Sequence, residues 1–477
     1  MFPNYKRYWR DVPSRSSMTE RLLAFLQPRK VSVRDEVFHE AKTIVQSMWA
    51  EHYGTNNRLL SLIESIRLLP SSTSAGLPYQ SGVKKGQVKR AMLRLAAVQW
   101  RRVLSGKSIK VMPCRSGARR QIRERGFNKP RLIWAYPGYL SIIENQFVGS
   151  LQKQSPPRFM GWSINWLDKG RSVERVARNS GKGWNAILQL DFSSFDSTIP
   201  SFLIHAAFDI VKNLFDLSRE ENIMLNNLKY YFIHTPICFY GDIIQKHRGI
   251  PSGSTFTQLI GSICNMLMCV YCDKVGWYSM NLNYKDSCWL GDDSLLLFNE
   301  GLAKDEMYRR YIKYFSHFGV EVSEDKSNYV VNNCWLYDGY IFINKYSIKF
   351  LGRCICPDTL DLKLSFSKFD AQVMLPENDD KTADDAGTRL IGLAWAYGMY
   401  YDTYLKLFLA FQRLSLPNNR VDLSNVTGLT NRDTSRFLEM FVGDKTVDTT
   451  SFPSFEEIND RYFDNVRMSR SYRTKNV

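Results

Sequence analysis

The feature that most constrains this chain is a pair of adjacent carboxylates between two short apolar runs, in Ser287-Cys288-Trp289-Leu290-Gly291-Asp292-Asp293-Ser294-Leu295-Leu296-Leu297-Phe298. Apolar runs of this length are strand-like, and Gly-Asp-Asp supplies turn chemistry, so the stretch reads as a β-hairpin with its acids at the turn. Consecutive residues there point different ways, so Asp292 and Asp293 divide their tasks: one faces a site and the other supports it. An ordinary acidic turn on a surface hairpin would carry the same pattern.

A second acidic pair upstream favours the site. In Ile187-Leu188-Gln189-Leu190-Asp191-Phe192-Ser193-Ser194-Phe195-Asp196, an apolar strand ends in Asp191, and Asp196 follows after a polar turn. Two strand-end carboxylates brought side by side can hold two divalent metals about 4 Å apart, the arrangement that clamps attacking and leaving oxygens in phosphoryl transfer. Asp191 and Asp292 are the expected bridging pair.

A chain of 477 residues, 44% of them apolar, can bury a large core in two or three interlocked subdomains and is not a small binding module. Its net charge of +17 calls for an anionic partner, nucleic acid or a membrane surface. The longest apolar run, 259–272, is broken by Gly261, Ser262 and Asn265 and falls short of a membrane span, so it reads as a buried helix. The first thirty residues carry Asp11 and Glu20 and lack a continuous apolar stretch, so no secretory signal is expected. Nine cysteines without a framework point to reduced thiols. Cys269 and Cys272 lie inside the apolar helix and read as buried thiols rather than zinc ligands, and Cys354 with Cys356 is read the same way.

The charge is concentrated. Between Gly82 and Arg131 stand sixteen Lys or Arg and the single acid Glu124, a net +15. Such a block repels itself and suits phosphates. Its last part, 128–134, alternates into an apolar finish and predicts a strand presenting Lys129 and Arg131 from one face; a basic RNA-binding surface without a nucleotide role has the same pattern. Upstream, 71–79 is a run of small, turn-prone residues that forms a shaped loop, suited to close backbone approach by a ligand. Arg248-Gly249-Ile250-Pro251-Ser252-Gly253-Ser254 is a glycine loop feeding the apolar helix 255–272, a setting suited to phosphate or sugar. The aromatic and basic residues of 5–10 form either an RNA-contacting arm or a strap across the surface. Helices are expected over 33–48, 200–214 and 302–318 and within 390–414, and the acidic stretch 374–387 reads as a loop-forming insert.

Taken in order, these pieces resemble the motif series of viral RNA-dependent RNA polymerases of the picornavirus-like supergroup, most like those of partitiviruses, whose genomes are segmented double-stranded RNA. Thr73, Ser74, Ala75, Gly76 and Pro78 are similar to the template-entrance motif, and Lys129 and Arg131 to the basic motif that grips incoming triphosphate. Asp191 and Asp196 match the first palm motif, Ser252, Gly253 and Thr257 the second, and Gly291-Asp292-Asp293 the third. Lys326 sits where the family places its general-acid lysine, and 335–342 resembles the primer-grip hairpin. Many relatives carry asparagine where this chain has Gly261, so Asn265, one helical turn further along nearly the same face, is a candidate for the nucleotide's sugar.

The resemblance implies an α+β right-hand fold of fingers, palm and thumb, with an antiparallel palm sheet carrying the Asp-x4-Asp and Gly-Asp-Asp motifs. The expected division is an N-terminal arm and fingers (1–184), palm (185–199), a fingers insertion (200–248), palm again (249–349), then thumb and C-terminal tail (350–477). It also implies Asp191, Asp292 and Asp293 as ligands of two Mg²⁺, for which Mn²⁺ can substitute, RNA template and product and ribonucleoside triphosphates as substrates, a viral capsid protein as partner, and the virion interior and host cytoplasm as location. A reverse transcriptase would share the palm and metal aspartates but usually has an aromatic where this chain has Asp196. A non-catalytic RNA-packaging protein would have no use for acids inside a cationic path.

Overall fold

In the computed structural model, the described residues are 2–71, 73–155, 157, 159–160, 186–276, 281–285, 287–299, 304–331, 335–337, 340–342, 348–350, 353–355, 362–364, 369–376, 380–398, 401–426 and 448–458. The fold is mixed α+β. The acidic segments belong to one antiparallel sheet of four strands in the order Asn328–Val331, Ala186–Leu190, Asp293–Phe298, Cys288–Leu290. Every residue of Ala186–Leu190 is buried, because the strand runs between two neighbours and is covered on both faces. The expected hairpin is present: Leu290 pairs with Asp293 across a turn made by Gly291 and Asp292. Gly291 has a φ of 62°, a conformation in which a β-carbon would be strained.

A second sheet of four strands, in the order Arg131–Ala135, Cys114–Arg119, Pro236–Phe239, Asp242–Gln245, carries the end of the basic block. Lys129 lies outside the strand predicted to hold it. Pro130 has no N–H to give a ladder, so regular pairing starts at Arg131, opposite Arg119.

The helix Thr257–Lys274 backs the acidic sheet and is buried along most of its length, as its apolar sequence requires. Its cysteines, Cys264, Cys269 and Cys272, are buried free thiols, and burial pushes each thiol's pKa up. Other expected helices run Asp35–Tyr53, Ser201–Lys212 and Lys304–Ser316. Among the described residues no helix is long and apolar enough to cross a membrane. One large core joins residues from Met18 to Tyr329, and a smaller one is built from Phe369, Leu390, Ile391, Leu407, Phe411 and Ile458. The acidic stretch read as a loop is partly helical: Ala383–Tyr397 starts with Thr382 and Asp385 as a reciprocal cap, and the acids of its first turn suit the helix's positive end.

The N-terminal segment packs as a strap. Tyr8–Arg10 pairs with Ile122–Glu124, Arg10 Nε donates to the Leu375 carbonyl at 2.7 Å, and Phe2 is buried edge-on against Phe369 in the smaller core. The expected subdomain boundary at 184/185 and the C-terminal tail beyond 458 lie outside the described residues, as does Cys356. The hairpin strands Trp335–Tyr337 and Tyr340–Phe342 pair as expected, while the residues turning between them lie outside the described set.

Candidate active site

The two acidic turns meet because their strands are direct neighbours. Leu190 pairs with Ser294, which brings the following Asp191 beside the Asp292–Asp293 turn. Asp191 is held from three sides: its N–H donates to Ser327 Oγ at 3.0 Å, its carbonyl accepts from the Ser323 N–H at 2.8 Å, and Lys326 Nζ lies 3.8 Å from its carboxylate. Ser327, buried, thus fastens the lysine turn Glu324–Lys326 to the end of the acidic strand. Asp196 lies on the short helix Phe195–Thr198. Its carboxyl is pushed up to about 7, by desolvation first and then by repulsion from Asp292, against the opposing pull of Arg131.

That last interaction brings the basic strand to the acids. Lys129 is likewise held below its ordinary pKa, first by desolvation and then by repulsion from Arg21 and Lys326. Asp191, Asp196, Asp292, Lys129, Arg131 and Lys326, from four separate stretches of sequence, therefore face one region. The buried acid Asp11, on the N-terminal strap, accepts from the Lys129 N–H at 3.0 Å and lies 3.5 Å from Arg123, which anchors the basic strand's approach.

The long helix supports the Gly-Asp-Asp turn from behind. Ser262 Oγ accepts from the Gly291 N–H at 2.8 Å, and the Asn265 amide donates to the carbonyls of Gly291 and Asp292 at 3.0 and 3.2 Å. Asn265, expected toward the nucleotide's sugar, is instead fully buried beneath the turn. One helical turn past Gly261, it meets carbonyls that have no ladder partner, and its amide satisfies them.

The glycine loop lies on the basic strand. Ser252 Oγ accepts from the Trp134 N–H at 3.3 Å, and Thr257 Oγ1 lies 2.6 Å from the Pro251 carbonyl and 2.8 Å from that of Ser254, sharing its proton within the loop. At Gly253 a β-carbon would sit 1.7 Å from the Trp134 carbonyl oxygen, so only glycine lets loop and strand touch. Lys246, fully buried, donates to the carbonyls of Phe232, Ile233 and Gly249 at 2.6, 3.0 and 2.8 Å; this cation is invisible as a structural one in the sequence, where it looks like any surface lysine. The loop 71–79 is held against the segment that follows it, by Lys85 N–H to the Thr73 carbonyl and Ala75 N–H to that of Val83, both at 2.9 Å. It docks where Gly138 N–H donates to the Ala75 carbonyl at 2.7 Å. Thr73 and Pro78 are exposed, Ser74 half-buried, and Ala75 and Gly76 buried.

The family model described as viral RNA-dependent RNA polymerase matches residues 2–363. The chain belongs to that family. It is 45% identical over 472 residues to the RNA-directed RNA polymerase of Cryptosporidium parvum virus 1 (strain KSU-1), covering 96% of this chain and 89% of that protein. Its similarity to the genome polyprotein of Brome streak virus (strain 11-Cal) is 31% over 196 residues, 39% of this chain and 6% of the polyprotein. Among solved structures, the RNA-dependent RNA polymerase of a human picorbirnavirus superposes with a TM-score of 0.59 at 16% identity, over 84% of this chain and 74% of that one, a likeness of fold. The protein is thus an RNA-directed RNA polymerase of a virus, and the reading as a packaging protein falls away.

Polymerases of this family use divalent metal ions. Among the described residues no three His, Cys, Asp or Glu side chains are grouped as a closed cation site. The residues nevertheless fit Mg²⁺, which is ordinarily held by one or two carboxylates together with substrate phosphates. Asp191 and Asp292 offer hard oxygen donors from two strand ends, and the repulsion that Asp292 exerts on Asp196 is charge that a cation would relieve.

Proposed function

We propose that this polymerase copies RNA by two-metal nucleotidyl transfer at the edge where Asp191 and Asp292 meet, within a right hand of fingers, palm and thumb divided at the boundaries given above. The observation that carries the reading is the convergence of the carboxylates Asp191, Asp196 and Asp292 with the cations Lys129, Arg131 and Lys326. Two divalent ions, Mg²⁺ or Mn²⁺, held by Asp191 and Asp292 with Asp293 beside them, would stabilise the attacking 3′-oxygen and the leaving oxygen of the triphosphate. Lys129 and Arg131 receive the triphosphate, and Lys326 gives a proton to the departing pyrophosphate. Thr73, Ser74, Ala75, Gly76 and Pro78 guide the template. Ser252, Gly253 and Thr257 shape the wall against the sugar, and Asn265 serves the turn rather than the nucleotide. The substrates are an RNA template, its product strand and ribonucleoside triphosphates; the genome copied is segmented double-stranded RNA of the kind partitiviruses carry, inside a virion whose capsid protein is the polymerase's partner and in the host cytoplasm. Incorporation of ribonucleotides on an RNA template, with and without divalent metal, tests the reaction, and metal-independent incorporation would overturn the mechanism.

Asp196 carries the choice of sugar. A 2′-hydroxyl donates to its carboxylate, and a deoxynucleotide leaves that half-buried acceptor unpaired at a cost of about 1–3 kcal/mol. This is roughly tenfold to a hundredfold in kcat/KM. Asp196→Ala is expected to lower ribonucleotide incorporation more than deoxynucleotide incorporation, narrowing the ratio; a ratio equal to that of the wild type sinks the assignment.

Lys326 is expected to act on chemistry and not on stability. Its side chain is 66% exposed and that of Asp191 40%, so their ion pair contributes only about 0–1 kcal/mol. Lys326→Leu should leave the melting temperature in place and slow single-turnover incorporation by about a hundredfold, since a general acid works only as the bond breaks. Unchanged single-turnover rates would make it a solvated surface lysine.

A further inference from the structure

Behind the nucleotide side of the site lies a buried polar network that the reaction itself does not use. Glu144, on the helix Gly138–Gln152, is 1% exposed and grips the glycine loop twice: Ser254 Oγ donates to one carboxylate oxygen at 2.8 Å and the Thr255 N–H to the other at 2.7 Å. Burial pushes its carboxyl up to about 7, against the pull of these donors and of Lys85. Lys85, also buried, opens the short 3-10 turn Lys85–Val88 that packs against the template-entrance loop, its N–H donating to the Thr73 carbonyl. Its ammonium lies 3.4 Å from Ser141 Oγ and feels Glu144, while burial pulls its pKa down to about 8. Ser141 closes the circuit, since Thr255 Oγ1 lies 3.4 Å from its carbonyl.

One helix face thus touches both loops. At Gly138 it takes the Ala75 carbonyl of the template side, and at Ser141 and Glu144 it holds the start of the nucleotide side. Lys85 reaches the helix at Ser141, and Glu144 holds the glycine loop from the next turn of the same helix, so displacing either group disturbs the seat of the other. We propose that Lys85 and Glu144 are a pair of positioning residues that register the template-entrance loop to the glycine loop, so that a residue of the template side governs which nucleotide sugar is accepted. This inference rests on the reading of 252–257 as the wall against the sugar.

The test measures the ratio of ribonucleotide to deoxynucleotide kcat/KM for Glu144→Gln, Lys85→Met and the double variant, with melting temperatures alongside. Each single variant is expected to narrow the ratio by about threefold to tenfold, mostly through a raised ribonucleotide KM. The double variant, which breaks one path through the helix at both of its ends, should narrow it no further than the worse single variant. Unchanged ratios with lowered melting temperatures would make Glu144 and Lys85 packing residues and overturn the proposal, and additive effects would overturn the coupling. Should either charge variant fail to fold, Ser254→Ala, which removes one donor to Glu144, must narrow the ratio, and an unchanged ratio there is equally fatal. Asp196→Ala run in parallel separates the two levels: narrowing there without narrowing in the network variants sinks this inference alone, and no narrowing there sinks the sugar reading beneath it.

Discussion

Asp292→Ala and Asp191→Ala are each expected to abolish metal-dependent polymerisation, with a loss of about a thousandfold or more, while RNA binding stays intact or tightens. Each change removes an oxygen donor for a divalent ion and also one negative charge from a path whose walls are cationic. Stability should hardly move. Asp292 is exposed at the tip of its turn, and the backbone there is held by Ser262 and Asn265 through groups that the substitution leaves in place. Removing its charge also relieves the repulsion on Asp196. Filter binding of RNA, melting temperature and nucleotide incorporation, measured on the same preparations, decide the matter. Near-normal incorporation by either variant would remove it from the reaction, and lost RNA binding would mean that the acids organise the channel.

The elements that the sequence announced are those whose cause is local. The Gly-Asp-Asp hairpin follows from a two-residue turn between apolar runs, and Leu290 and Asp293 pair across it as that pattern requires. The buried helix was legible from an apolar run too short for a membrane. Local signals are present even where the overall pattern misleads. Thr382 and Asp385 form a capping pair that marks a helix start, yet the surrounding acids suggested a loop. Pro130 marks the limit of the basic strand, yet alternation suggested that Lys129 lay inside it.

The rest of the site depends on contacts between distant segments. Asp11, Glu144 and Lys246 are buried charged groups, and a single sequence shows nothing to separate them from solvated acids and lysines. Each becomes intelligible only when its partner arrives: the Lys129 N–H for Asp11, the Ser254–Thr255 pair for Glu144, three carbonyls for Lys246. Asn265 illustrates the same limit. Helical spacing placed it one turn beyond Gly261, but whether that point faces a nucleotide or the underside of a turn depends on where the hairpin crosses the helix.

Gly253→Ala tests how tightly the glycine loop must sit on the basic strand. A β-carbon 1.7 Å from the Trp134 carbonyl oxygen and 2.9 Å from its carbon cannot be accommodated by a side-chain rotation, because the obstacle is backbone in a paired strand. The strand is held by its ladder with Cys114–Arg119, and the loop is held at its two ends by Lys246 on Gly249 and by Glu144 on Ser254 and Thr255. The loop therefore lifts at its middle, breaking the Ser252 contact with the Trp134 N–H and moving the proposed sugar wall away from Arg131's strand. Overpacking of this kind costs about 1–3 kcal/mol, which the large core can absorb, but a displacement of about 1 Å at a reacting centre can lower the rate on the order of a hundredfold. Gly253→Ala is thus expected to fold, bind RNA and lose about a hundredfold in kcat/KM for ribonucleotides. Gly261→Ala serves as the comparison, since its β-carbon would meet only ordinary contacts of 3.6 Å or more. Equal activity of the two variants would show that the loop does not need its seat on the strand, and with it the Ser252–Trp134 contact would lose its part in placing the nucleotide.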